Sequence, residues 1–145
     1  MLGEPLAAPR ASVRNDADCE AILDGVIART LPKPLWTHAA HCVFAVALLD
    51  RLTLGEAEEA APRLIRLYND ATGVANSASD GYHHTITLFF LRNIQLFLAE
   101  YGPAPLAERV AVVLASPLGD PRFPLSAYPR ERLFSPAARL EWVGA

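Results

Sequence analysis

The sequence has no basic excess and few cysteines. Its 145 residues include 13 Lys and Arg against 16 Asp and Glu, a formal net charge of −3, so it lacks the basic surface that a nucleic-acid-binding protein presents. Its two cysteines, Cys19 and Cys42, are too few for a disulfide framework. Both are predicted to be small buried apolar residues, with a single bridge between them as the alternative.

Long apolar runs and common catalytic motifs are also missing. The most apolar stretch, 88–98, is interrupted by Arg92, Asn93 and Gln95, and no run reaches the roughly eighteen residues of a membrane span. The first ten residues do not have the basic start and apolar segment of a secretory signal. Nucleotide-binding glycine loops, a Gly-x-Ser-x-Gly elbow and a Cys-x-x-Cys pair are absent from the sequence. We therefore expect a cytoplasmic protein whose partners are neither membranes nor nucleic acids.

The apolar residues that are present, 52% of the chain, recur with helical spacing. This pattern predicts an all-α, single-domain bundle of about five helices with an irregular proline-rich C-terminal tail. Residues 1–14 are expected to form a loose arm and residues 15–116 the bundle. Residues 117–145 are expected to form a tail that docks on the bundle or on a partner subunit. The second possibility would make the protein a homodimer. The predicted helices cover 16–29, 34–52, 55–72, 81–100 and 104–115.

Prolines and capping residues set the expected ends of these helices. Pro34 suits a first turn, and Pro62 should kink the third helix or shift its start. Asp80 is the expected N-cap of the fourth helix. Ser135 and Pro136 resemble a cap and a first helical residue, which predicts a short helix in the tail.

All four histidines fall in two short segments, Trp36–His41 and Gly81–Thr87. At about 100° per residue, His38 and His41 share one face of the second helix, and His83 lies on the apolar face of the fourth. In an up-down-up bundle, the starts of these two helices and the end of the third meet at one end. The end of the third helix brings Tyr68 and Asn69 to the same place.

Neutral imidazoles that meet in a buried polar spot are typical ligands of transition metals. The spacing predicts a divalent metal site, with Zn favoured over Ni or Fe, in which His38, His41 and His83 are ligands. Tyr68 and Asn69 would orient the imidazoles, or would simply form hydrogen bonds at the helix end. His84 would be a fourth ligand or an acid–base group.

Three alternatives stay open at this point. The histidines could form a hydrogen-bonded structural cluster with no metal, Cys42 could be a fourth ligand, and Arg92 could either pair with a carboxylate or bind an anionic substrate. The predicted function is correspondingly twofold. It is either a metal-dependent enzyme acting on a small molecule, or a non-catalytic module that binds a metal or a small ligand.

The strings Trp-Thr-His-Ala-Ala-His at 36–41, Tyr-Asn-Asp-Ala-Thr-Gly at 68–73 and Gly-Tyr-His-His-Thr-Ile-Thr at 81–87 resemble those of a group of bacterial helical proteins with no assigned reaction. The resemblance spans most of residues 31–142. It implies that His38, His41 and His83 matter to the group's function. It also implies that an acidic residue usually stands where this chain has His84, so that an imidazole replaces a carboxylate ligand or base.

Overall fold

A computed structural model describes residues 13–145, and across that range the chain is helical with no strand. The predicted arm, 1–14, lies outside the described residues except for its last two. The all-α class and a core of five longer helices are confirmed. The helices are α1 (Asp16–Ile27), α2 (His38–Arg51), α3 (Leu54–Ala71), α4 (His84–Tyr101), α5 (Leu106–Ala115), α6 (Arg130–Leu133) and α7 (Pro136–Leu140).

The α2 helix is the centre of the bundle. Every residue from Cys42 to Leu48 is buried, as expected of a helix that is apolar on all sides. It packs most closely against α1 and α5, and it also contacts α3 and α4. This arrangement places the first turn of α2, which carries His38 and His41, beside the last turn of α3 and the first turn of α4.

Two predicted helix starts are wrong, and in each case a different residue caps the helix. Pro34 lies in a separate 3-10 turn over Lys33–Leu35, and α2 begins at His38, because the hydroxyl of Thr37 accepts the N–H of Ala40. The fourth helix begins at His84 rather than 81, and its N-cap is His83 instead of Asp80.

The third helix is continuous through Pro62, and it starts at Leu54 rather than later. Its first turn is stabilised by a capping box, in which Thr53 and Glu56 each accept the other's backbone N–H at 3.2 and 3.0 Å. Pro62 itself is buried. Strong capping and burial of α3 therefore outweigh the backbone hydrogen bond that an interior proline removes.

The tail packs on α4 and on the segment before it through partly buried hydrogen bonds. The Thr85 hydroxyl donates to the carbonyl of Glu141 at 2.7 Å and accepts the N–H of Val143 at 3.0 Å. The Arg139 guanidinium donates to the carbonyl of Gly81 at 2.8 Å. The short helix α7 starts as predicted, with Ser135 as N-cap and Pro136 as its first residue.

Two further expectations can be compared with the fold. Cys19 and Cys42 are buried free thiols, so the disulfide alternative does not apply. None of the described helices combines the length and the apolar character that crossing a membrane requires.

Candidate functional site

A groove opens at the end of the bundle where α2, α3 and α4 meet. Its volume is about 320 Å³. His41 from α2, Asn69 from α3 and His83 before α4 all line it, so the predicted convergence of these helix ends is present in the structure. The other lining residues are Trp36, Ile65, Val74, Gly81, Tyr82, Ile86 and Thr87.

A smaller cavity of about 90 Å³ lies next to this groove, between α2, α3 and α4. The groove and the cavity share four lining residues: His41, Ile65, Ile86 and Thr87. The cavity is otherwise lined by His38, Cys42, Phe44, Ala45, Ala61, Phe90, Leu91 and Ile94. Apolar walls with a few polar groups, here from α2 and α4, are typical of small-molecule pockets.

His41 lies at the junction of the groove and the cavity. Its Nδ1–H donates to the carbonyl of Thr37 at 2.7 Å, one helical turn earlier, and its ring stacks on Trp36 with centroids 3.7 Å apart. Burial lowers the pKa of His41 to about 4, so the ring is neutral at physiological pH. With the proton on Nδ1, the Nε2 atom is a hydrogen-bond acceptor.

His38 is tied to the tail. Its Nε2–H donates to the carbonyl of Leu118 at 3.0 Å, and its ring lies 4.9 Å from that of Phe90. The Cys42 sulfur is 3.5 Å from the same nitrogen and 3.6 Å from the same carbonyl. Burial raises the pKa of Cys42 to about 12, so its thiol stays protonated and is a poor nucleophile.

Both ring nitrogens of His83 are engaged by the protein. Nδ1 accepts the N–H of Ile86 at 3.1 Å and thereby caps α4, and Nε2–H donates to the carbonyl of Leu133 at 2.7 Å. Burial lowers the pKa of His83, which keeps the ring in the neutral form that this cap requires. His83 therefore joins the start of α4 to the tail and has no lone pair left for a metal.

His84, the predicted acid–base residue, lines neither the groove nor the cavity. Its Nδ1 lies 2.9 Å from the hydroxyl of Tyr82, whose ring is covered by the guanidinium of Arg66. Burial, followed by the charges of Arg66 and Arg92, lowers the pKa of His84. Arg92 itself pairs with Glu58 at 2.6 Å and stacks on Trp142, so the carboxylate-pairing alternative for Arg92 is confirmed.

Tyr68 and Asn69, predicted to orient metal ligands, hydrogen-bond to the backbone and to a neighbouring loop. The Tyr68 hydroxyl donates to the carbonyl of Leu31 at 2.7 Å and fixes the connection between α1 and α2. Asn69 donates through Nδ2 to Oδ1 of Asn76 at 2.9 Å. Neither forms a hydrogen bond to a histidine within the described residues, so both match the helix-end alternative.

The positions of these side chains bear directly on the predicted metal site. No three His, Cys, Asp or Glu side chains within residues 13–145 are arranged to hold a metal ion. The three predicted ligands lie at one end of the bundle, but His83 and His38 direct ring N–H groups at the carbonyls of Leu133 and Leu118. The donor set as it stands does not fit a three-histidine centre, and metal binding stays a prediction.

Comparison of the chain with protein-family models, with curated proteins and with solved structures finds no match. The geometry of the groove and the cavity is therefore the basis for a functional proposal.

Asn76, a residue with no predicted role, does not line the groove itself but holds the loop that carries the lining residues Gly81 and Tyr82. Its Oδ1 accepts the N–H of Tyr82 at 3.0 Å as well as the amide of Asn69, and its Nδ2 donates to the carbonyl of Arg66 at 3.2 Å. Gly81 follows with φ +77°, and a Cβ there would meet the carbonyl oxygen of Ala75 at 2.1 Å. The Asn and Gly in a polar connector were the available signal for such a tight loop.

Proposed function

We propose that this protein binds a small, uncharged, largely apolar molecule in the cavity between α2, α3 and α4, and that the groove is the route by which the molecule enters. The observation that supports this most is that the two spaces are adjacent and share four lining residues, His41, Ile65, Ile86 and Thr87. A non-catalytic binding module agrees with the chemistry of the site, because its thiol is protonated and its central histidine is neutral.

The size and the walls of the cavity limit what it can hold. Cavities of roughly 150 Å³ with apolar walls accept benzene, so a space of about 90 Å³ suits a smaller ring or a short chain, with any larger part in the groove. Charged molecules are poor candidates, because burial of an unpaired charge against apolar walls is costly.

Titration with pyrrole, a five-membered ring of suitable size, tests the proposal by methyl NMR. We expect shift changes at Ile65, Ile86 and Ile94, which line the cavity. Ala61→Val should abolish the changes, since Ala61 is fully buried and lines the cavity. Ala60→Val, at the adjacent and partly exposed position, does not alter the lining and should bind pyrrole as the wild type does. Equal binding by Ala61→Val would contradict the proposal.

A metal-dependent function is the second candidate; it requires His38 Nε2 and Cys42 Sγ, which lie 3.5 Å apart, to lose the hydrogens that both now direct at the carbonyl of Leu118. These are two donors of the kind that zinc prefers. Elemental analysis of the purified protein and of His38→Ala tests it. Stoichiometric metal that is lost in the variant would favour the metal-dependent function, and equal metal content in both proteins would eliminate His38 as a ligand.

A further inference from the structure

The polar groups of the cavity have their hydrogens committed to the protein. Four lining residues carry polar atoms: His38, His41, Cys42 and Thr87. The His38 Nε2–H and the Cys42 thiol both point at the carbonyl of Leu118, at 3.0 and 3.6 Å, and the Thr87 hydroxyl donates to the carbonyl of His83 at 2.8 Å. None of these three groups has a hydrogen left to donate to a ligand.

The one ring hydrogen of neutral His41 is also donated to the protein. A carbonyl oxygen can only accept a hydrogen bond. The 2.7 Å contact to the carbonyl of Thr37 therefore places the His41 proton on Nδ1. The opposite ring nitrogen, Nε2, forms no hydrogen bond within the described residues and belongs to a side chain that lines both the cavity and the groove. Burial lowers the pKa of His41 to about 4, which agrees with an unprotonated Nε2.

We infer that the ligand is an uncharged molecule with one O–H or N–H group, that it donates this hydrogen to Nε2 of His41, and that its apolar part occupies the cavity. This inference rests on the proposed function and specifies its ligand class. A ligand that offers only acceptor atoms, such as an ether or a carboxylate, would bring its lone pairs against the lone pair of Nε2 and would be disfavoured.

Pyrrole and furan form a matched pair of probes, because they are rings of nearly equal size and only pyrrole has an N–H. We expect pyrrole to bind about three- to tenfold more tightly than furan in NMR titrations, the factor that one neutral hydrogen bond contributes. Equal affinities would overturn the inference and leave the proposed function intact. Failure of both probes to bind would overturn the two together.

Two variants locate the acceptor. His41→Asn retains a donor close to the position of Nδ1, which can bond Thr37, but it removes Nε2, so the preference for pyrrole should disappear. His38→Gln retains a donor for Leu118 and removes the other ring nitrogen of His38, so the preference should persist. Loss of the preference in His38→Gln alone would overturn the assignment to His41.

Discussion

One side of α2 is tightly packed, and the opposite side borders the cavity. Val43, Val46 and Ala47 point to one side, are at most 2% exposed and do not line the cavity, while α1 and α5 pack closely on this helix. His38, His41, Cys42 and Ala45 point to the other side and border empty space. The filled side contributes buried apolar contacts to the core, and the open side borders the cavity in which we propose that a ligand binds. One helix thus supplies both the core and the site.

The largest expected effect is a loss of stability when a buried leucine is truncated, and this loss should differ between the filled side and the open side of α2. Leu23→Ala removes a fully buried side chain from α1, which packs closely on α2 and lines neither the cavity nor the groove, and should lower the free energy of unfolding by roughly 2–5 kcal/mol. Leu91→Ala removes the same atoms beside the existing cavity, where fewer contacts are lost, and should fall at the low end of that range. Urea denaturation measures both. An equal or larger loss for Leu91→Ala would show that the α4 side is packed as tightly as the α1 side.

The sequence predicted the part of the site that the helices form, but not the part that the C-terminal tail contributes. Helical spacing and an up-down-up order were enough to bring His41, Asn69 and His83 together, because those features depend on periodicity and short connections. The hydrogen-bond partners of His38 and His83 are the carbonyls of Leu118 and Leu133, which are 80 and 50 residues away in the chain.

The tail that carries these carbonyls is rich in proline and has no apolar period, so its path over α4 could not be predicted from the sequence. Without that path, a histidine that donates to a backbone carbonyl resembles a metal ligand. For the same reason His83 was not recognised as the cap of α4, since Asp80 is the more usual capping residue three positions earlier.

Acid should destabilise the protein through the histidine on the open side. The pKa of His41 falls from 6.5 to about 4 on folding, so between these values the unfolded chain binds a proton that the folded chain does not. The free energy of unfolding should therefore drop by about 3 kcal/mol as the pH falls from 6.5 to 4, with no contribution above 6.5. Urea denaturation at several pH values measures this.

The matched control for the pH effect is His41→Asn, which has no titrating group at this position. Burial also lowers the pKa of His83 and of His84, which contributes a loss of the same sign in both proteins. The difference between wild type and variant therefore isolates His41. Parallel pH profiles would show that His41 is solvated and that the space around it is not a closed site.

The smallest expected effect on stability comes from the same substitution, alanine to valine, made at two positions of α3. Ala57 and Ala61 are both 0% exposed and lie one turn apart, but only Ala61 lines the cavity. Ala57→Val adds two carbons to a filled region and should cost about 1–3 kcal/mol. Ala61→Val adds them beside the cavity and should therefore cost less, mainly the roughly 0.5 kcal/mol by which valine is the poorer helix former.

The comparison of Ala57→Val with Ala61→Val in the same urea denaturation cancels the lower helix propensity of valine, which affects both positions alike. The remaining difference in the free energy of unfolding reports the cost of overpacking a filled region relative to filling a void. If Ala61→Val is the more destabilising of the two, the walls of the cavity cannot take two more carbons without strain, and a ligand with several heavy atoms could not enter without moving α3. If the order is as expected, the open side of α2 has room that the protein does not need for its own packing.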